Sequence, residues 1–258
     1  MINNKTLCLV AIFKNESHIL KEWIAHYINE GVEKFFLIDN GSSDNYLHCL
    51  KPYIEQNTID LVLDKKRYCQ VELYNKHFLE KCKEYKWVLV CDLDEFVYAR
   101  KEFSAISQYL NTLHDEVNQV LIPWKMFGSC GYNTIEHKQP ERVVESFLTR
   151  KKATDKIEIK TITRTSKLLS LHQHRCHLIE KRMNHEDFFI NIDEEKLDTL
   201  YLHLNHYAIQ SLEWFMRVKA TRGDVCTPNL DHIRIEDYFK RYDINDIVDT
   251  ELSLKYKL

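Results

Sequence analysis

Glycine and proline are scarce in this chain, at 5 and 4 of 258 residues. So few glycines leave no room for a glycine-rich phosphate cradle, and neither G-x-G-x-x-G nor G-x-x-x-x-G-K-[ST] occurs. Cysteines at C-x-x-C spacing are missing too. The 8 cysteines lie apart, several inside apolar segments, and read as reduced thiols rather than a disulfide framework. No apolar run approaches the ~20 residues that span a bilayer, and the N-terminus shows no signal-peptide pattern. The expectation is a cytoplasmic protein, with peripheral attachment to the inner face of a membrane left open. A surplus of one charge is also lacking: 36 basic against 39 acidic residues gives −3, which removes the electrostatic reason to expect nucleic acid as a partner.

What is present is apolar and well patterned. Hydrophobic residues make up 44% of the chain, enough for a full core, and no linker, repeat or low-complexity segment divides it. Residues 1–258 therefore read as a single domain, with a nucleotide-binding half at 1–100 and an acceptor half with C-terminal helices at 101–258. In the first half, apolar runs near 7–13, 35–38, 59–63 and 87–91 alternate with segments of helical spacing. That alternation predicts an α/β fold with a mostly parallel, Rossmann-like central sheet flanked by helices. Beyond residue 100 the expected elements are a helix at 106–113, a strand at 120–122 ending in Pro123-Trp124, a charged surface excursion at 134–160, strands within 161–171, and a helix from Ser211 to Arg222 stopped by Gly223.

Each early strand ends in polar residues, and the run at Trp87–Cys91 ends in three acids, Asp92, Asp94 and Glu95. Ligands of open α/β sheets bind at such carboxyl ends. Asp92 and Asp94 are two apart, so an extended backbone points both to one face, where hard oxygen donors suit Mg²⁺ or Mn²⁺ carrying a phosphate. A bare Asp-x-Asp occurs in many loops; its strand context is what gives this one weight.

The ordered set of motifs resembles a GT-A glycosyltransferase, and more narrowly glycosyltransferase family 92 with its bacterial and viral relatives. The matching pieces are Lys14-Asn15-Glu16 before Glu22-Trp23, Asp39-Asn40-Gly41-Ser42-Ser43-Asp44, Asp92-Leu93-Asp94-Glu95-Phe96, Phe127-Gly128-Ser129-Cys130-Gly131, His206-Tyr207 with Ser211, and Lys219 to Gly223. Gln210 departs from the pattern, since relatives usually carry lysine before that serine. The resemblance implies a metal-dependent transfer of sugar from a nucleotide sugar, a UDP-sugar foremost, to a glycan or glycolipid acceptor. It further implies inversion and a place in surface polysaccharide or lipopolysaccharide synthesis.

It also implies roles. Asp92 and Asp94 hold the ribose and a divalent metal on the diphosphate, with His206, or failing it His203, closing the metal site. Asp39, Asn40, Ser42 and Asp44 read the base and ribose, although Asn40-Gly41 equally reads as a turn. Asn15 and Glu16 stand at the mouth of the first strand, where helix capping is the competing role. Gln70 and Asn75 open a helix beneath the site, and Lys219 and Arg222 clamp the diphosphate. Glu95 is the nearest acid to serve as base; Asp155, Glu158 and Asp187 have no positional claim. Trp124, Phe127, Gly128 and Ser129 are expected at the sugar. The clump His172-Gln173-His174-Arg175-Cys176-His177 lacks the second ligand pair of a structural zinc site, so His174 is assigned to acceptor or phosphate contacts. Two alternatives stand beside the transferase: a non-catalytic module binding nucleotide sugars or glycans, and a haloacid-dehalogenase-type phosphohydrolase, in which the first Asp would be the nucleophile.

Overall fold

Continuous apolar runs bury both faces, and alternate residues then serve two cores. In β1 (Leu7–Phe13), residues 7, 9, 11 and 13 face α1 (Ser17–Asn29), while Cys8 and Val10 face the opposite layer. The computed structural model describes residues 5–154, 156–222, 228 and 235–256. The chain proceeds through β2 (Lys34–Asp39), α2 (Tyr46–Glu55), β3 (Ile59–Leu63), α3 (Gln70–Cys82) and β4 (Trp87–Val90). Strands β3-β2-β1-β4 pair in parallel, with α1 and α2 packed on one face and α3 on the other.

At β4 the parallel pattern stops. Residues 91–94 turn directly into β5 (Glu95–Ala99), and four residues are too few for a crossover to a parallel neighbour. After α4 (Ile106–Thr112) come β6 (Gln119–Met126), α5 (Val143–Ser146), β7 (Thr149–Arg150) and β8 (Lys156–Arg164). Strand β8 inserts antiparallel between β4 and β6. Short pieces β9 (Leu168–Ser170), β10 (His177–Leu178) and β11 (Phe189–Asn191) follow, then α6 (Glu194–Thr199) and β12 (Leu202–His206). Strand β12 runs parallel to β6 and antiparallel to β5, which forms the far edge. The order β3-β2-β1-β4-β8-β6-β12-β5 makes a mixed sheet, not a mostly parallel one. The charged stretch 134–160 was expected to lie wholly on the surface, yet its end is a central strand. Lys160 there is neutralised by Asp92 and Glu95 from the turn after β4.

The C-terminal part contributes α7 (Leu212–Arg217), α8 (Glu236–Tyr242), β13 (Ile247–Val248) and α9 (Glu251–Lys255). Ser211 caps α7 by accepting the Trp214 N–H at 3.2 Å. The helix ends at Arg217 rather than running to Arg222; Lys219–Thr221 form a separate 3₁₀ turn. Gly223, Asp155 and Cys226 lie outside the described residues. No helix among the described residues is long and apolar enough to cross a membrane.

His26 of α1 is buried against β5 and donates from Nε2 to the Val97 carbonyl at 2.7 Å. Burial, with Lys255 adding, pushes its pKa down to about 3 against the donated bond. The folded state therefore holds it neutral while the unfolded chain takes a proton below about 6.5. Stability from this group is full above pH 6.5 and is lost as pH falls toward 3. Between pH 6.5 and 5 the loss is about 2 kcal/mol, from ~1.36 kcal/mol per pH unit. Urea unfolding at the two pH values should show a His26→Gln variant losing that much less than the parent; equal losses would remove His26 as the cause.

Candidate active site

The acidic turn is held from below. Trp23 of α1 donates its indole N–H to the carbonyls of Asp92 and Glu95, both at 3.1 Å. Tyr27 donates to the Glu95 carbonyl at 3.1 Å and accepts the Val97 N–H at 2.9 Å. Immediately after β12, the Tyr207 N–H donates to the Asp94 carbonyl at 2.8 Å. The turn is thus clamped by α1 on one side and β12 on the other.

Because residues 91–94 turn rather than extend, the three acids take separate environments. Glu95 is fully buried and accepts the Asp92 N–H at 2.9 Å. Lys160 of β8, also fully buried, stands 2.8 Å from Asp92 Oδ2 and 3.0 Å from Glu95 Oε2. Burial raises the Glu95 carboxyl to about 7, with Lys160 opposing and Asp92 adding. Burial disfavours the Lys160 ammonium as well, but Asp92 and Glu95 outweigh it and hold its pKa well above the usual lysine range. Asp94 faces the other way, 2.5 Å from Lys219 Nζ and 3.5 Å from His206 Nε2. Burial alone would raise this carboxyl; Lys219 and His206 overcome it and keep it well below its ordinary value.

Asp92 and Asp94 open onto a cavity of about 680 Å³ at the carboxyl ends of β1 and β4. Glu16 and Arg222 line it as a contacting ion pair, and Gln70, at the first turn of α3, supports Asp92 Oδ1 at 3.3 Å. The far wall is built from β6, β8 and β12. Trp124 and Glu158 both line it, and the Trp124 ring packs on His206 at 4.2 Å between centroids. His174 lies 3.6 Å from Glu158. Burial, with Lys160 adding, lowers His174 to about 3, so the ring is neutral at pH 7. Burial raises the Glu158 carboxyl, opposed by His206 and Lys160.

Among the described residues, no three His, Cys, Asp or Glu side chains converge as a ready-made metal cage. The expected trio divides: Asp94 and His206 stand together, while Lys160 draws Asp92 aside. An oxygen and a nitrogen donor side by side on a cavity wall fit a divalent cation whose remaining ligands are phosphate oxygens and water. The buried His206 Nδ1 has no hydrogen-bond partner among the described residues, none of which therefore dictates the tautomer that presents Nε2.

The profile of glycosyltransferase family 92 matches residues 4–250. The chain belongs to glycosyltransferase family 92. No curated protein matches it. Among solved structures, S. aureus TarS residues 1-349 aligns at 12% identity over 91% of this chain and 70% of that one, with a TM-score of 0.44. The TarS 1-349 complex with UDP-GlcNAc aligns at 14% over 62% and 46%, TM-score 0.40. GalNAc-T7 with UDP, GalNAc and Mn²⁺ aligns at 12% over 83% and 46%, TM-score 0.46. This chain thus spans about half the length of some of the structures it matches. Family membership makes it a glycosyltransferase and sets aside the phosphohydrolase alternative.

In this family 92 chain, several residues expected at the ligand do other work. Both oxygens of Asp39 are used within its loop, by the Ser42 N–H at 2.7 Å and the Tyr46 hydroxyl at 2.8 Å. Ser42 Oγ accepts the Asn15 N–H, the Asn15 side chain accepts the Ser43 N–H, and Asp44 accepts the Ser17 N–H at the start of α1. Asn75 clasps Leu171 through both its N–H and its carbonyl. Asn40 does reach the cavity, with its amide N–H groups given to the Asp64 and Lys66 carbonyls.

Phe127 is buried against Tyr207 and Ser129 is fully buried, its N–H donating to Asp243, so neither meets a sugar. Gly128 is required by packing: a Cβ there would sit 2.4 Å from Asn245 Oδ1. The C-terminal segment folded over this loop is what removes it from the site. His203 is bound to Glu251 and the Leu197 carbonyl on the opposite side of β12, so of the two β12 histidines it is His206 that lines the cavity. Asp187 caps a short turn and pairs with Lys181. Glu95, expected as base, does not line the cavity; its buried carboxylate faces Lys160 and the Asp92 N–H.

Lys160 escaped notice in the sequence. The signal was there, in Lys156-Ile157-Glu158-Ile159-Lys160, an alternation of charged and β-branched residues that fits a strand.

Proposed function

We propose that the cavity takes a nucleoside diphosphate sugar, in the manner of a GT-A enzyme, and that the chain transfers the sugar with inversion to a glycan hydroxyl. Family membership supports the class of reaction. The observation that carries the mechanism is the partnering of the cavity's acids. Asp92, Asp94 and Glu16 are each held by a cation, whereas Glu158 has no Lys or Arg ion pair among the described residues. Glu158 is the base in this reading. Its carboxylate takes the proton of the acceptor hydroxyl as that oxygen bonds to the anomeric carbon, and the raised pKa makes it a better proton acceptor. The bond from the anomeric carbon to the phosphate oxygen breaks, and its electrons leave with the diphosphate.

Lys219 and Arg222 exchange Asp94 and Glu16 for the diphosphate oxygens and stabilise charge as it grows. Asp94 and His206 would hold a divalent cation, Mn²⁺ or Mg²⁺, which would supply further positive charge at that leaving group. Asn40 keeps its carbonyl oxygen for a base N–H, such as uracil offers, and Trp124 offers an aromatic face to the sugar. The acceptor is a surface glycan or glycolipid met at the cytoplasmic face.

A panel of UDP-, GDP- and ADP-sugars with Mn²⁺ tests this directly. Slow acceptor-independent release of free sugar is expected from UDP-sugars, and loss of release in Asp94→Asn. Tight binding of UDP-sugars with no release or transfer of sugar would leave only the binding-module reading.

A further inference from the structure

A second groove, about 140 Å³ in volume, runs from the far wall of the cavity and shares Trp124, Met126, Glu158 and Tyr242 with it. Its outer wall carries Lys151, Lys152 and Lys156, all exposed. The backbone holding these lysines is pinned. Lys151 N–H donates to the Met126 carbonyl at 2.8 Å, and Lys152 N–H to Asp246 Oδ2 at 3.0 Å. Arg150 between the layers is tied to Asp249 and Glu194 at 2.6 and 2.7 Å. Lys156 is partly committed, 2.6 Å from Glu186 and over the Phe189 ring. Among the described residues, Lys151 and Lys152 form no ion pair and Glu158 is the one acid on the groove wall.

Lys151 and Lys152 thus share the groove with aromatic residues Trp124, Phe189 and Tyr242 and with Glu158. Aromatic faces suit sugar rings, and ammonium groups suit an anion. We propose that this groove binds the acceptor, and that the acceptor is an anionic glycan carrying phosphate or carboxylate, its hydroxyl directed at Glu158. The inference rests on the transferase reading, since Glu158 is its endpoint. A neutral glycan would gain the rings but leave the lysines facing water.

Calorimetric titration of the full chain with three probes decides the matter: a mannose oligosaccharide 6-phosphate, an oligogalacturonate and a neutral mannose oligosaccharide of equal length. At least one anionic probe should bind about tenfold tighter than the neutral one, the size expected of two exposed charge contacts. The two anionic arms separate phosphate from carboxylate. The preference should vanish in Lys151→Glu/Lys152→Glu and shrink in 0.5 M salt, which cuts the screening length to roughly 4 Å. Equal affinity for charged and neutral probes, or a preference that survives the double substitution, would overturn the proposal. Acceptor-independent donor hydrolysis by the parent is measured alongside. Hydrolysis without charge preference sinks the groove alone, whereas absence of hydrolysis with every nucleotide sugar sinks the transferase mechanism itself.

Discussion

Replacing Glu158 by glutamine lowers the rate of sugar transfer by about 10³-fold, within the 10²–10⁴ typical of a lost general base, and leaves the affinity for UDP unchanged. Glutamine keeps the shape that packs beside Trp124 and His174 but accepts no proton at working pH. The deficit belongs in kcat, because among the described residues the side chain has no Lys or Arg partner to release, and the proposal gives it no contact with the diphosphate. Parallel assays of Glu95→Gln separate the two acids. That carboxylate is enclosed by Lys160 and the Asp92 N–H, so its loss disturbs the turn and the thermal midpoint along with activity. A Glu158→Gln enzyme that keeps a tenth or more of parental kcat would remove Glu158 from the chemistry.

Lys160→Met is the most damaging substitution expected for the fold. It leaves Asp92 and Glu95 without their shared cation, and breaking a buried pair in this way costs about 3–5 kcal/mol. For a chain of this size that corresponds to a fall in Tm of roughly 10 °C. The deficit depends on pH with a definite sign. Glu95 has a folded-state pKa near 7, above its unfolded value, so between about 4.5 and 7 the folded state binds the extra proton. Stability from that proton is present at low pH and lost as pH rises, and removal of Lys160 strengthens the dependence. Thermal unfolding should therefore show a larger parent-to-variant gap at pH 8 than at pH 5.5. A gap that is small and flat with pH would mean that Lys160 is not the neutralising partner of these acids.

The position of Asp92 and Asp94 was legible because an apolar run of strand length ended abruptly in acids. His206, Lys219 and Arg222, expected at the site from the resemblance, do line the cavity. Asp39, Ser42 and Asn15 were ambiguous, since short polar residues after a strand are equally able to bind a ligand or to satisfy their own loop, and here they hydrogen-bond within the loops. Phe127 and Ser129 misled for a different reason. The segment that covers them, around Asp243 and Asn245, comes from more than a hundred residues further on. Lys160 and Glu158 were hidden by composition, because a charged stretch reads as surface unless the neutralising partners are known.

By itself the sequence determined that a family 92 glycosyltransferase begins as strand-helix alternation and sets its acids where β4 ends, for these depend on local periodicity and on an abrupt change of polarity. The tertiary structure alone decided how those acids are used. A four-residue turn sent β5 to the far edge, β8 filled the vacated place, and Lys160 arrived between Asp92 and Glu95. That left Asp94 to Lys219 and His206, and Glu158 without a Lys or Arg partner among the described residues. Each of these outcomes pairs side chains about 65 to 125 residues apart, and no local pattern encodes a partner at that distance.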